Sequence, residues 1–209
     1  MRKDRKTLGL AVIGCGTIGR IRAEFARDYP GIGWIGLCDI KEDLLDRLSD
    51  DVDADFKTSD FEELIARPEV DAVIIATDEN HHGAPTIAAA NAGHALFIEK
   101  PLATDARESR RVLDAIEANG TDAVIGYTQR FRRRFLTVKE RLMTGQIGEV
   151  TGVVTRALMN RMVPIATVQR TNQRQNLTPM VVSGTHALDM CMWLMEGKTP
   201  VSVYAQSND

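Results

Sequence analysis

The sequence predicts an α/β fold, a doubly wound parallel sheet followed by a smaller, incomplete α+β unit. Three observations carry that expectation. Apolar strand-like runs alternate with helix-period segments through residue 127. A glycine-rich turn, Gly14-Cys15-Gly16-Thr17-Ile18-Gly19, separates the first such run from the first such segment. Beyond Tyr127 the rhythm breaks, so residues 1–127 read as one domain and 128–209 as part of another.

The elements follow in chain order. Residues 8–14 form an apolar run and 17–29 a helical pattern with Ile18, Ile21, Arg22 and Phe25 at recurring positions. Residues 33–39 read as a second strand, 41–49 as a helix, and the Asp-rich piece 50–55 as a solvated loop. Segments 61–66, 84–92 and 106–118 are helical in pattern, and 72–77, 95–98 and 123–127 are strand-like. Thr104 or Asp105 can cap the helix at 106, and Gly93 and Gly120 stop two of the helices. In the second part, 129–134 is polar and basic, 135–143 is a helix ending at Gly145, and 150–157 is a longer strand. Residues 159–179 have no period and two prolines and read as a loop with short helical pieces, of the length that is functional or mobile. Ser183 or Thr185 can cap a helix over 187–194, and 201–205 is a further strand. One long strand cannot close a sheet, so this unit is a truncated form or leans on a partner.

The glycine turn has a specific chemistry. Gly14 permits a tight turn, Gly16 lets the backbone approach a pyrophosphate, and Gly19 lets helix and strand pack closely. The unsatisfied N–H groups at the helix start, those of Thr17 and Ile18 included, then hold phosphate. Asp39 stands twenty positions after Gly19, at the end of the second strand-like run. Its carboxylate can accept from a ribose 2′-hydroxyl and would repel a 2′-phosphate, which favours NAD over NADP. The bland alternative is a glycine turn that binds no nucleotide.

Composition narrows the function classes. The 209 residues carry a net charge of −3 with 5% aromatics, which argues against a general nucleic-acid binder. The charge is uneven: residues 1–122 hold 15 basic and 24 acidic side chains, residues 123–188 hold 10 and 2. The basic stretch is a solvated or subunit-contact face, or a cleft for an anionic substrate, with Arg130 and Arg156 as candidate contacts. Cys15, Cys38 and Cys191 make no paired motif, as in a reduced cytoplasmic protein. The six-residue run before Cys15 is short for a secretory signal, and no apolar stretch approaches a membrane span. The adjacent His81 and His82 diverge and lack a third ligand at metal spacing, so no metal is expected.

A second motif, Glu99-Lys100-Pro101, follows a strand end, where a lysine can stabilise charge on a substrate oxygen and a proline can turn the chain sharply. With the glycine turn, Asp39, Ala76-Thr77, His82, Ala92-Gly93, Gly126-Tyr127, Arg130-Phe131, Gly145-Gln146-Ile147-Gly148 and Gly184-Thr185-His186 with Asp189 and Trp193, the chain resembles the Gfo/Idh/MocA oxidoreductases over nearly its whole length. The resemblance implies an N-terminal Rossmann domain and NAD- or NADP-linked oxidation of a sugar, cyclitol or related alcohol. It implies that Lys100 binds the reacting oxygen and that His186 exchanges the proton. It also implies that Thr77, His82, Glu99, Lys100 and Gln129 border the cofactor, and that a chain with the full C-terminal domain is a homo-oligomer. Three departures stand out. Val182 occupies a position where many members carry aspartate, Asp78 stands where proline is usual, and members are longer than this chain. These favour, as the alternative, a non-catalytic dinucleotide-binding or regulatory protein.

Overall fold

Alternation along the first apolar run places the core on both sides of one sheet. Strand β1 (Leu8–Ile13) sends Leu10 and Val12 to one face and Ala11 and Ile13 to the other, as the two-residue period of a strand requires. The computed structural model describes residues 7–158, 178 and 180–206. Within them β2 (Ile32–Cys38), β3 (Phe56–Thr58), β4 (Ala72–Ile75), β5 (Ala95–Ile98) and β6 (Ala123–Ile125) join β1 in a parallel sheet of order β3-β2-β1-β4-β5-β6. Helices α1 (Thr17–Arg27) and α2 (Glu42–Val52) cover one face, burying Ala23, Leu45, Leu48 and Val52 against Ile35 and Leu37. Helices α3 (Phe61–Ile65), α4 (Gly83–Asn91) and α5 (Ala106–Asn119) cover the other, around Val73, Ile75, Leu96 and Ile98. Burial of each such Val, Leu or Ile side chain is worth about 1.5–3 kcal/mol, so the two layers supply the main stabilisation.

The local chemistry explains the boundaries. The Asp105 carboxylate accepts from the Glu108 amide at 2.8 Å and starts α5, while Gly120 ends it at φ +58°. Two expectations are corrected. The Asp-rich piece is no loop throughout, because α2 continues to Val52 before Asp53 ends it in a left-handed conformation. Residues 56–58 form an edge strand too short for periodicity to reveal.

The described residues fall into two units: those up to Gly126, with Thr178, Met180 and Val181, and those of 127–158 and 182–206. The second holds α6 (Arg133–Met143) and α7 (Thr185–Leu194), the latter opened by a π turn at Met180–Gly184 rather than by a Ser or Thr cap. The expected strands at 150–157 and 201–205 are absent there; Val154, Val201 and Val203 are exposed and no partner strand pairs with them among the described residues. The expected loop at 159–179 lies outside the described residues apart from Thr178. Among the described residues no helix is long and apolar enough to cross a membrane, and no three His, Cys, Asp or Glu side chains are grouped to hold a metal ion.

Candidate functional site

Register brings the carboxyl ends of the strands to one edge. Ile13 pairs with both Cys38 and Ile75, Ile75 with Ile98, and Ile98 with Ile125. Gly14, Asp39, Ala76, Glu99 and Gly126 therefore follow side by side, with the strand order reversing at β1 and β4, where open α/β sheets bind ligands. Three glycines shape this edge in different ways. Gly14 has φ +99°, and a Cβ there would stand 2.6 Å from the Ala76–Thr77 main chain. A Cβ on Gly19 would run into the Gly14 carbonyl. Gly16 faces open space, with nothing within 4 Å of such a Cβ. It is the N-cap of α1, and no side chain caps that helix among the described residues. The amides of the first turn, at Thr17 and the 45% exposed Ile18, thus point at an open approach.

Beside that approach lies a cavity of about 350 Å³ whose lining includes Gly14, Gly16, Asp39, Leu44, Phe61 and Thr77. Asp39 accepts from the Cys15 amide at 2.7 Å and from the Lys41 amide at 2.9 Å. Each oxygen keeps a further lone pair for a ligand hydroxyl. The Thr77 hydroxyl oxygen is buried with no hydrogen-bond partner among the described residues. An open helix start, a placed carboxylate and an orphaned hydroxyl fit a dinucleotide. The Cys15 and Cys38 thiols are pushed up to about 12, by burial first and by the Asp39 charge second, so they stay protonated beside it.

Lys100 is the second residue after β5, and the Lys100–Pro101 peptide is cis. Its neighbours are tightly held. Glu99 is 8% exposed and accepts from Arg22 of α1 through Nε at 2.9 Å and Nη2 at 2.6 Å. His82 is buried with Nδ1 2.7 Å from the Pro101 carbonyl and Nε2 3.1 Å from the Thr77 carbonyl. A neutral ring donates to one of these oxygens, a doubly protonated ring to both.

In the second unit, His186 is the second residue of α7, and its ring meets Tyr127 edge-on at 6.1 Å between centroids and 83° between planes. The Tyr127 hydroxyl is 3.2 Å from that of Thr185. Val182, four residues before His186, is 7% exposed. Arg130 donates to both oxygens of the buried Asp189 at 2.6–3.1 Å and lies over Trp193, and this hydrogen bonding pushes its guanidinium above the ordinary arginine value.

Residues 8–127 match the model of the oxidoreductase family with an NAD-binding Rossmann fold, GFO_IDH_MocA. The chain belongs to that family. Residues 135–209 match the GFO/IDH/MocA C-terminal domain. The chain is 32% identical over 197 residues to an inositol 2-dehydrogenase of Gluconacetobacter diazotrophicus, covering 92% of this chain and 56% of that one. It is likewise 32% identical to the inositol 2-dehydrogenase of Agrobacterium fabrum, over 91% of this chain and 55% of that one. The crystal structure of scyllo-inositol dehydrogenase from Lactobacillus casei, solved with NAD(H) and scyllo-inositol, shares the fold at TM-score 0.77 and 20% identity, covering 90% of this chain and 56% of that chain. The chain thus spans about half the length of the curated relatives it matches.

In this Gfo/Idh/MocA chain the first unit is the family's NAD-binding Rossmann domain. It brings Gly14, Gly16, Asp39 and Thr77 to one cavity. His82 and Glu99 do not line that cavity; they make contacts with main chain and with Arg22. Gln129, in a 3-10 turn at Thr128–Phe131, and Arg130 belong to the second unit, where Arg156 is exposed and outside any helix or strand. Arg22 and Tyr127 are contacts that sequence reasoning did not reach. The one legible signal for Arg22 was its place three residues after Gly19, on the side of α1 that returns to the sheet.

Proposed function

We propose that the protein is an NAD-dependent dehydrogenase that oxidises a secondary hydroxyl of a cyclitol or related polyol. The observation that carries this reading is the cavity at the strand reversal, where the open α1 start, the Asp39 carboxylate and the Thr77 hydroxyl converge. Curated relatives named inositol 2-dehydrogenase support the substrate class. NAD held there would accept a hydride from the carbinol carbon. The amides of Thr17 and Ile18 would bind its diphosphate, Asp39 its adenosine ribose, and Thr77 the nicotinamide side.

Lys100 would donate to the reacting oxygen, stabilising negative charge as its proton departs. His186 would take that proton, a task suited to an imidazole. Arg130 is neutralised by Asp189, which favours an uncharged polyol over an anionic one. The three free cysteines support work in a reducing, cytoplasmic setting. Reduction of NAD, followed optically across inositols, neutral sugars and sugar acids, tests the assignment. Turnover of a neutral cyclitol is the expected result; a folded protein that binds NAD and oxidises no alcohol overturns it. Val182, apolar and buried, favours a second reading, a dinucleotide-binding protein without catalysis, which that same outcome would support.

A further inference from the structure

We propose that Arg22 and His82 form a two-point brace that sets the main chain on either side of Lys100, making both of them positioning residues. The inference rests on the role given to Lys100 above. Residues 97 and 99 alternate onto the face of the sheet that carries α1. The Arg22 guanidinium meets both there: it lies 4.9 Å from the Phe97 ring centroid and donates twice to one Glu99 oxygen. The Glu99 side chain is 11% exposed, and a carboxylate so buried keeps its place only with a partner. Its other oxygen stands 2.8 Å from where a Cβ on Gly126 would be, so the end of β6 closes against it because residue 126 has no side chain. The residue before Lys100 is therefore locked to the glycine-turn helix.

The residue after Lys100 is held from the opposite side. The His82 ring, 1% exposed, bridges the Pro101 carbonyl and the Thr77 carbonyl, tying the segment after β5 to the turn after β4. The His82 carbonyl in turn accepts from the Thr86 hydroxyl at 2.6 Å, which anchors the ring's own backbone to α4. A lysine reaches its target on four rotatable bonds, so the position of its Cα decides where the ammonium can stand. Stability alone would be served as well by an apolar contact as by a buried ion pair. Its place directly beside the lysine, mirrored by the histidine on the other side, points to positioning.

The test compares the wild type with Arg22→Met, Arg22→Met/Glu99→Met and His82→Phe in the full chain. The double variant removes both charges of the pair and leaves no buried carboxylate unpaired, so it keeps its fold even where Arg22→Met does not. Lysines carry ¹³C-dimethyl labels, with the Lys100 signal assigned by its loss in Lys100→Arg. The expected result is a Lys100 signal that shifts toward that of the exposed Lys41 in all three variants. With it, kcat for polyol oxidation falls about 10- to 100-fold while NAD affinity stays within about threefold, as for a misplaced rather than a missing group. Recovery of kcat in the double variant, an unmoved Lys100 signal, or a tenfold loss of NAD affinity would each overturn the brace. A wild type that oxidises nothing while its Lys100 signal responds as described leaves the brace standing and removes the dehydrogenase reading.

Discussion

Gly16 and Gly19 lie three residues apart and do opposite things. A methyl group on Gly19 meets the Gly14 carbonyl, where only main chain can give way, so Gly19→Ala should lower stability by about 1–3 kcal/mol in urea titration. Gly16 has φ −67° and ψ −171°, which alanine adopts freely, and open space around it. Gly16→Ala should keep the melting temperature or raise it slightly, by about 0.4–1 kcal/mol of stability, and still bind NAD at least tenfold more weakly by calorimetry. Unchanged NAD affinity in Gly16→Ala would remove the phosphate from that place. Asp39 contributes to both the turn and the ligand, since it already holds the Cys15 and Lys41 amides. Asp39→Ala should cost about 1.5–3 kcal/mol of NAD binding, a roughly 10- to 150-fold weaker dissociation constant, and narrow the preference over NADP. Tighter binding of NADP than NAD by the wild type would contradict that account.

At the scale of elements, the caps and strand ends carry the testable energetics. Asp105 is the observed N-cap of α5, and Asp105→Ala should cost about 1 kcal/mol, read as a lower urea midpoint with an unchanged slope. Cys15 and Cys38 end up buried where β1 and β2 finish, with thiols raised from 9.0 to about 12. Unfolded thiols release their protons near the lower value and folded ones near the higher. Between the two the unfolded state holds fewer protons, so this contribution is complete below pH 9.0 and is lost as pH rises toward 12. Cys15→Ala/Cys38→Ala should flatten the decline of melting temperature over that window; an identical slope would show that the thiols do not drive it. Elements also mark where periodicity is a good guide. α1, α4 and α5 were legible because each is long or clearly bounded, while β3 is three residues on a sheet edge, too short to carry a period.

For the whole molecule, NAD should act on the first unit. At about one hundred times its dissociation constant it should add about 2.7 kcal/mol to that unit's stability. Hydrogen exchange followed by mass spectrometry should then slow in β1, α1 and β2. Protection gained in α6 and α7 alone would place the nucleotide elsewhere. The charge asymmetry of the sequence has a partial structural account. Arg130 and Lys139 are matched by Asp189 and Glu196, so some of the basic excess serves contacts within the second unit.

The sequence by itself determined the alternation, the glycine turn and the acid at the end of β2, because each depends on neighbours a few residues away: side-chain period, the conformational range of glycine and the start of a helix. Tertiary structure alone decided that Glu99 answers to Arg22, 77 residues earlier, that His82 bridges two carbonyls, and that Asp189 takes up the charge of Arg130. Those pairings join distant segments across a sheet edge or between helices, and local pattern holds no record of which buried polar group will satisfy which.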